Sequence, residues 1–385
     1  MLAARLAAIQ PFVVMEIQRR AFELARAGRS IIHLEIGQPD FGAAPSVVAQ
    51  AQKVLARDPL RYTESLGIPA LRERIARWYH DRYAVPVSPE QIIVTTGASG
   101  AFALLCGALV GPGDQVLMPD PCYPCNRHFV RMFEGEARLI PVDESSAYQP
   151  TADLVEQHWT PQTRGVMLAS PSNPTGTCIE LDALRAISTV ARARGGFTIV
   201  DEIYQGLTYG REGETALQVA PDAIIVNSFS KYFAMTGWRI GWIVAPQPLV
   251  AAIERLAQNA FICPPALAQH AALAAMAPEA VAVHEARRGE FHARRDYLVP
   301  ALRALGFGIP VLPSGAFYIY ADASRFGDDA NLLAREILEV ASVAVTPGLD
   351  FGLHRANRYL RFAYTRSMDD LREGVQRLRR FLNSR

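Results

Sequence analysis

Seven short β-rich runs lie in the middle of the chain, several of them apolar at consecutive positions, and helical patterns separate many of them. The runs are residues 91–96 (Q-I-I-V-T-T), 115–118, 139–142, 165–169, 197–201, 223–227 and 240–245, with helical stretches at 100–109, 123–134 and 181–194. A strand with one wet face alternates apolar and polar residues. A strand covered on both faces need not, and parallel sheets are covered on both faces. The pattern therefore predicts an α/β, doubly wound fold around a mostly parallel sheet. The flanks read differently. A helix at 14–27 is closed by Gly28, a charged helix spans 280–305, and a strand at 315–320, a helix at 330–338, a strand at 359–363 and a helix at 368–382 make a smaller α+β unit. The run 31–35 can join that unit, which would then be built from both termini. We expect an N-terminal arm with part of the small domain over 1–45, a large domain over 46–278 and a C-terminal small domain over 279–385.

The 385 residues carry 39 basic and 38 acidic side chains, a net charge of +1. A dedicated binder of nucleic acid or of a membrane surface would carry a basic excess, so neither partner is expected. The longest apolar run, 101–110, has ten residues, short of the ~20 that a membrane helix needs. Gln10, Pro11 and Glu16 interrupt the apolar start, which lacks a signal-peptide core and a cleavage site. Five cysteines, an odd number, fit reduced thiols and a cytoplasmic location. Cys122 and Cys125 form a C-x-x-C, but Cys106, Cys178 and Cys263 are scattered, so no metal site is expected.

Of the 39 basic residues only Lys53 and Lys231 are lysines. Arginine stays protonated and cannot form a Schiff base, whereas a deprotonated lysine can. Lys53 lies in a helical A-Q-K-V-L-A and reads as a solvated surface residue; Lys231 lies in S-F-S-K, just after a strand.

In open α/β sheets ligands bind beyond the carboxyl ends of the strands. After 91–96 comes G-A-S-G-A, small residues that let backbone N–H groups approach an anion at a helix start. After 165–169 comes S-P-S-N-P-T-G with Asn173; after 197–200 come Asp201, Glu202 and Tyr204; after 223–227 come Ser228, Ser230 and Lys231, with Arg239 eight residues beyond the lysine. Taken together these groups suit a phosphorylated, electrophilic, pyridine-like cofactor, with serines and Arg239 for a phosphate, Asp201 for a ring nitrogen, Asn173 and Tyr204 for a ring oxygen and Lys231 for an imine. Each residue also has a plainer reading: Asp201 as a strand-end acid in an ion pair, Asn173 as a turn former, Tyr123 as core, and G-A-S-G-A as a nucleotide loop.

The runs S-P-S-N-P-T-G, D-E-I-Y and S-F-S-K-Y-F-A-M-T-G-W-R-I-G-W resemble the fold-type-I, pyridoxal-phosphate-dependent aminotransferases of class I/II, the aspartate aminotransferase-like family. I-G-Q-P-D-F, R-Y-T-E-S-L-G-I-P-A-L-R, P-D-P-C-Y-P, G-A-F-Y and L-R-F-A-Y have counterparts in the same order, so the resemblance covers most of the chain. It implies that Lys231 carries pyridoxal 5'-phosphate (PLP) as the internal aldimine, that Asp201 meets the pyridine nitrogen, and that Tyr204 and Asn173 meet the ring oxygen. It implies Tyr123 stacked on the ring, and Ala98, Ser99, Ser228, Ser230 and Arg239 around the phosphate. Tyr62 would reach the phosphate of a neighbouring subunit in a homodimer with shared active sites, and Arg361, the backbone of Gly37 and Asn173 would hold the substrate α-carboxylate.

The activity so implied is ping-pong transamination in amino-acid metabolism, from an L-amino acid to a 2-oxo acid, with Lys231 moving the α-proton. The alternatives are a C–S β-lyase or another PLP reaction on the same fold, a cofactor-binding sensor without turnover, and a nucleotide-dependent dehydrogenase. The last lacks G-x-G-x-x-G and leaves S-F-S-K unexplained. The amino donor is open: Arg20, Arg127 and Arg131 are possible second cations, and Phe12, Val13, Ile17 and Phe351 a possible apolar side-chain pocket.

Overall fold

The computed structural model describes residues 2–384. Its strands, in chain order, are β1 (Ile32–His33), β2 (Ile92–Thr95), β3 (Gln115–Asp120), β4 (Glu136–Pro141), β5 (Thr163–Ala169), β6 (Phe197–Asp201), β7 (Ile224–Ser228), β8 (Gly241–Val244), β9 (Tyr318–Asp322), β10 (Val343–Ala344), β11 (Thr346–Pro347) and β12 (Tyr359–Ala363). Its helices are α1 (Val13–Arg26), α2 (Pro45–Leu55), α3 (Pro69–Tyr83), α4 (Gly97–Leu109), α5 (Pro124–Met132), α6 (Ala152–His158), α7 (Leu181–Ala193), α8 (Gln247–Phe261), α9 (Ala266–Ala275), α10 (Pro278–Leu305), α11 (Ala330–Glu336) and α12 (Met368–Asn383).

The large sheet has seven strands in the order β2-β8-β7-β6-β5-β3-β4. From β7 to β4 the pairs are parallel, while β8 runs antiparallel to both β2 and β7. The two faces of the sheet lie in two cores. Ile92, Val94, Leu117, Val166, Val200 and Ile225 pack on one side; Ile93, Val116, Met118, Met167, Ile199 and Val226 pack on the other. That double coverage is why the runs are apolar at consecutive positions, each buried aliphatic side chain contributing roughly 1.5–3 kcal/mol.

A three-stranded antiparallel sheet, β11-β12-β9, holds the carboxyl-terminal strands and sets Arg361 opposite Tyr320 and Thr346. The amino-terminal run meets this unit through β1, which pairs in parallel with β10 (Ile32 with Val343, His33 with Ala344). The strand expected at 315–320 begins at Tyr318 instead. Ala316 has a left-handed φ of 55° and Gly315 packs its backbone on Pro171, where a Cβ would come within 2.5 Å of the proline ring. A turn at 315–317 is the result, and it aims Tyr318 inward. The expected helix at 100–109 starts earlier, at Gly97, directly after β2. No single helix among the described residues is long and apolar enough to cross a membrane; the one pair that is apolar enough together, Ala266–Ala275 and Pro278–Leu305, is bent by 78°.

Candidate active site

A cavity of about 370 Å³ opens where the carboxyl ends of the large-sheet strands face the small sheet. Among its lining residues are Gly37, Ala98, Ser99, Tyr123, Asn173, Asp201, Tyr204, Ser230, Lys231, Arg239 and Arg361. Eleven side chains or backbone positions read from the sequence thus meet in one space, drawn from positions 37 to 361.

Lys231 follows β7 by three residues. Its Nζ donates to the carbonyl oxygen of Gly37 at 2.7 Å and lies 5.8 Å from the centroids of the Tyr204 and Phe317 rings. Burial lowers its amine from 10.5 to about 8, helped by the Arg361 and Arg239 guanidiniums and opposed by Asp201. Asp201 ends β6, is buried, and accepts from the Ile203 N–H at 3.0 Å. Burial raises its carboxyl from 3.8 to about 7, against the pull of that N–H and of Lys231. An acid and an amine that both titrate near neutrality can hold and exchange protons there.

The far end of the cavity could hold an anion. Gly97 opens α4 with φ +75°, and a Cβ there would lie 2.7 Å from Arg239 Nη2, so glycine leaves the guanidinium room beside the helix start. Arg239 itself takes a left-handed φ of 53°, and its Nη1 donates to Thr236 O at 3.0 Å. Ser228 does not line the cavity. Its Oγ donates to Ile240 O at 3.0 Å, accepts from Ser230 N at 3.1 Å and lies 2.9 Å from Ser230 Oγ, so it positions Ser230 from behind.

Arg361, in β12, is buried; its Nη1 donates to Asn173 Oδ1 at 2.9 Å and its Nη2 to the backbone oxygen of Glu35. The guanidinium carbon lies 4.4 Å from the Tyr318 ring centroid and 4.7 Å from that of Phe351, while Nε has no hydrogen-bond partner among the described residues. Tyr123 caps α5 and meets Phe12 edge to face with centroids 6.1 Å apart; Cys125 Sγ lies 3.4 Å from its hydroxyl.

Tyr62 is not in the cavity. It lies in the loop between α2 and α3 and is 79% exposed. Of the four residues suggested for an apolar pocket, Phe12 lines the cavity and Val13, Ile17 and Phe351 do not. The cause is the rotation of α1. Ile17, Ala21 and Leu24 pack against Leu338 and Ala344, which turns Val14, Met15 and Gln18 toward the cavity. Phe351 is buried over the guanidinium of Arg361. Arg20 is paired with Glu339 and Glu23, Arg127 donates to Asp350 O, and neither they nor Arg131 line the cavity.

Sequence reading missed Tyr318, whose hydroxyl lies 2.8 Å from that of Tyr204; burial raises both phenols above their usual range. Its signal was the G-A-F-Y run. Glu35 and Thr236 were missed too, with no signal beyond their neighbours. All five cysteines are free, and no three His, Cys, Asp or Glu side chains among the described residues could share a metal ion.

The donor set fits a phosphorylated pyridine ring. It offers an anion cradle beside Gly97 and Arg239, a buried acid, paired phenols and one amine near neutrality, all on a single cavity.

The chain is similar to aminotransferases over nearly its whole length. A family model described as aminotransferase class I and II matches residues 29–378. The valine–pyruvate aminotransferase of Mycobacterium tuberculosis is 38% identical over 380 residues, covering 98% of both chains. The crystal structure of an aminotransferase from the same organism superposes with a TM-score of 0.96 at 38% identity, covering 100% of both chains. An aspartate aminotransferase from Thermus thermophilus, solved with maleate, gives a TM-score of 0.94 at 33% identity over 99% of both chains.

Proposed function

The chain belongs to the class I and II aminotransferases, and on that premise we propose that it moves an amino group from an L-amino acid to a 2-oxo acid in two half-reactions, with pyridoxal 5'-phosphate as its cofactor. The observation that carries this reading is the Lys231 amine, held at about 8 on a cavity wall shared with a buried acid and two arginines.

When bound, pyridoxal phosphate supplies an electron sink for bonds at the substrate α-carbon. Lys231 Nζ is the attachment point and the base. An amine near neutrality is free to take a proton from the α-carbon and to return one. Asp201, buried at the end of β6, would pair as a carboxylate with the protonated ring nitrogen and so keep it protonated. Tyr204 and Asn173 donate to the ring oxygen, and Tyr123 covers the ring. Ala98 and Ser99 at the start of α4, with Ser230 and Arg239, hold the phosphate, and Ser228 fixes Ser230. Arg361, with Asn173 and the Gly37 backbone, holds the α-carboxylate; its hydrogen bonds to Asn173 and to the Glu35 backbone oxygen and the two aromatic faces orient the guanidinium.

In this reading the cofactor sits in the large domain of 46–278, and the small domain of 279–385, joined by the amino-terminal segment, brings Arg361. The exposed Tyr62 reaches the phosphate of a partner subunit in a homodimer. The apolar wall of Phe12, Val14 and Met15 favours a donor with a neutral side chain, as in the relative named for valine and pyruvate.

The test is direct. Added PLP is expected to give a visible absorbance band, and borohydride followed by peptide mapping to place the label on Lys231. A label on Lys53, or none, refutes the reading. A panel of donors with pyruvate and 2-oxoglutarate then separates transamination from β-elimination, because only the former needs the keto acid to regain the starting spectrum.

A further inference from the structure

The charged groups on the cavity wall are Lys231, Arg239 and Arg361 against Asp201 and Glu35. The three cations have tasks under the transaminase reading, on which this inference rests, and Asp201 has one as well. Glu35 has none. Its side chain is fully buried, with Oε1 accepting from His33 Nδ1 at 2.8 Å and Oε2 without a hydrogen-bond partner among the described residues. A buried carboxyl oxygen left unpaired costs free energy unless something else supplies a donor.

Its placement is specific. Ile32 and Leu34 point into the main core, so His33 and Glu35, at alternate positions, face the α1 side. The Phe22 ring packs on His33 at 5.6 Å, and the cavity face of α1, at Val14, Met15 and Gln18, borders the same space as Glu35. The backbone oxygen of Glu35 accepts from Arg361 Nη2. One residue therefore buttresses the proposed α-carboxylate anchor with its main chain and carries, on the same stretch of chain, a buried carboxyl with one unpartnered oxygen.

We propose that Glu35 is a specificity-determining residue that closes the cavity to amino donors with a carboxylate side chain. A second carboxylate near Glu35 would add a like charge close to a fully buried carboxyl, and the three cations that this chain places on the cavity wall already have tasks. Neutral side chains meet no such penalty, and those ending in an N–H or O–H can satisfy Oε2.

The experiment uses the PLP-loaded enzyme and titration calorimetry with two non-reactive acids of similar length, 3-methylbutanoate and succinate. The wild type is expected to bind 3-methylbutanoate about tenfold or more tightly than succinate. Glu35→Gln keeps the size and an acceptor for His33 but removes the charge, and is expected to shrink that ratio at least about fivefold. The ratio of kcat/KM for valine over aspartate should move the same way. Wild type that binds succinate as tightly overturns the proposal, and so does a ratio unmoved in Glu35→Gln. Glu35→Thr replaces the Gln variant if that does not fold. If no amino acid converts the wild-type spectrum, the transaminase reading itself fails, an outcome separate from an unmoved ratio.

Discussion

Arg361 Nη1 donates to Asn173 Oδ1 across 2.9 Å, so the middle strand of the small sheet and the turn after β5 share a hydrogen bond at the cavity wall. The guanidinium is thereby fixed between two elements 188 residues apart.

Replacing it tests the carboxylate role. Arg361→Lys keeps a positive charge but cannot offer two parallel donors. Charge-assisted bonds contribute about 1.5–3 kcal/mol each, so kcat/KM should fall roughly tenfold to a hundredfold for all donors alike. The PLP absorbance should remain. A loss confined to acidic donors would assign Arg361 to the substrate side chain instead.

Asp201 gives a pH signature. In the fold its carboxyl sits at about 7, against 3.8 for an ordinary carboxyl. Between those values the unfolded chain has released a proton that the folded chain keeps, so this group lowers stability progressively as pH rises toward 7 and by a constant amount above it. In the cofactor-free protein, Asp201→Asn is expected to add little stability near pH 4, increasingly more up to pH 7, and a constant gain of a few kcal/mol in order of magnitude beyond. Calorimetric unfolding from pH 4.5 to 8.5 measures it; an equal gain at both ends would mean that the carboxyl titrates normally.

Gly37 and Tyr318 are coupled by space. A Cβ at position 37 would lie 1.6 Å from the Tyr318 hydroxyl oxygen, and that hydroxyl meets Tyr204 at 2.8 Å. Gly37→Ala should cost about 1–3 kcal/mol of stability by overpacking and displace both phenols. Tyr318→Ala should restore part of that loss in the double variant, whereas independent sites would add. Urea unfolding of the four proteins of the cycle decides between the two.

Tyr62 tests the dimer. Tyr62→Ala and Lys231→Ala are each expected to be nearly inactive. Mixed and allowed to exchange subunits, they should regain partial activity, because one site of each mixed dimer holds both native residues. Mixed dimers without activity would place Tyr62 outside the partner's site.

Lys231 was legible because lysine is so rare here that its position after a strand carried information, and Asp201 and Asn173 because strand ends are where an open sheet binds ligands. Tyr318 was not, since one aromatic at the start of a strand reads equally as core, and only the left-handed turn at Ala316 aims it inward. The side-chain end of the cavity was misread at α1 because its orientation depends on which face meets Leu338 and Ala344, contacts more than 300 residues away. Glu35 acts partly through a backbone oxygen, which side-chain identity does not encode.

The pairing of β1 with β10 also orders events in time. Lys231, Asp201, Asn173, Ser230 and Arg239 have all been synthesised by residue 239, but β1 has no partner strand until Val343–Ala344 emerges, and Arg361 follows later still. Gly37 and Glu35, among the first residues made, wait for nearly the last. On a ribosome, most of the residues proposed for the phosphate and ring end are therefore made while the strand that carries Arg361 and the partner strand of β1 are still missing.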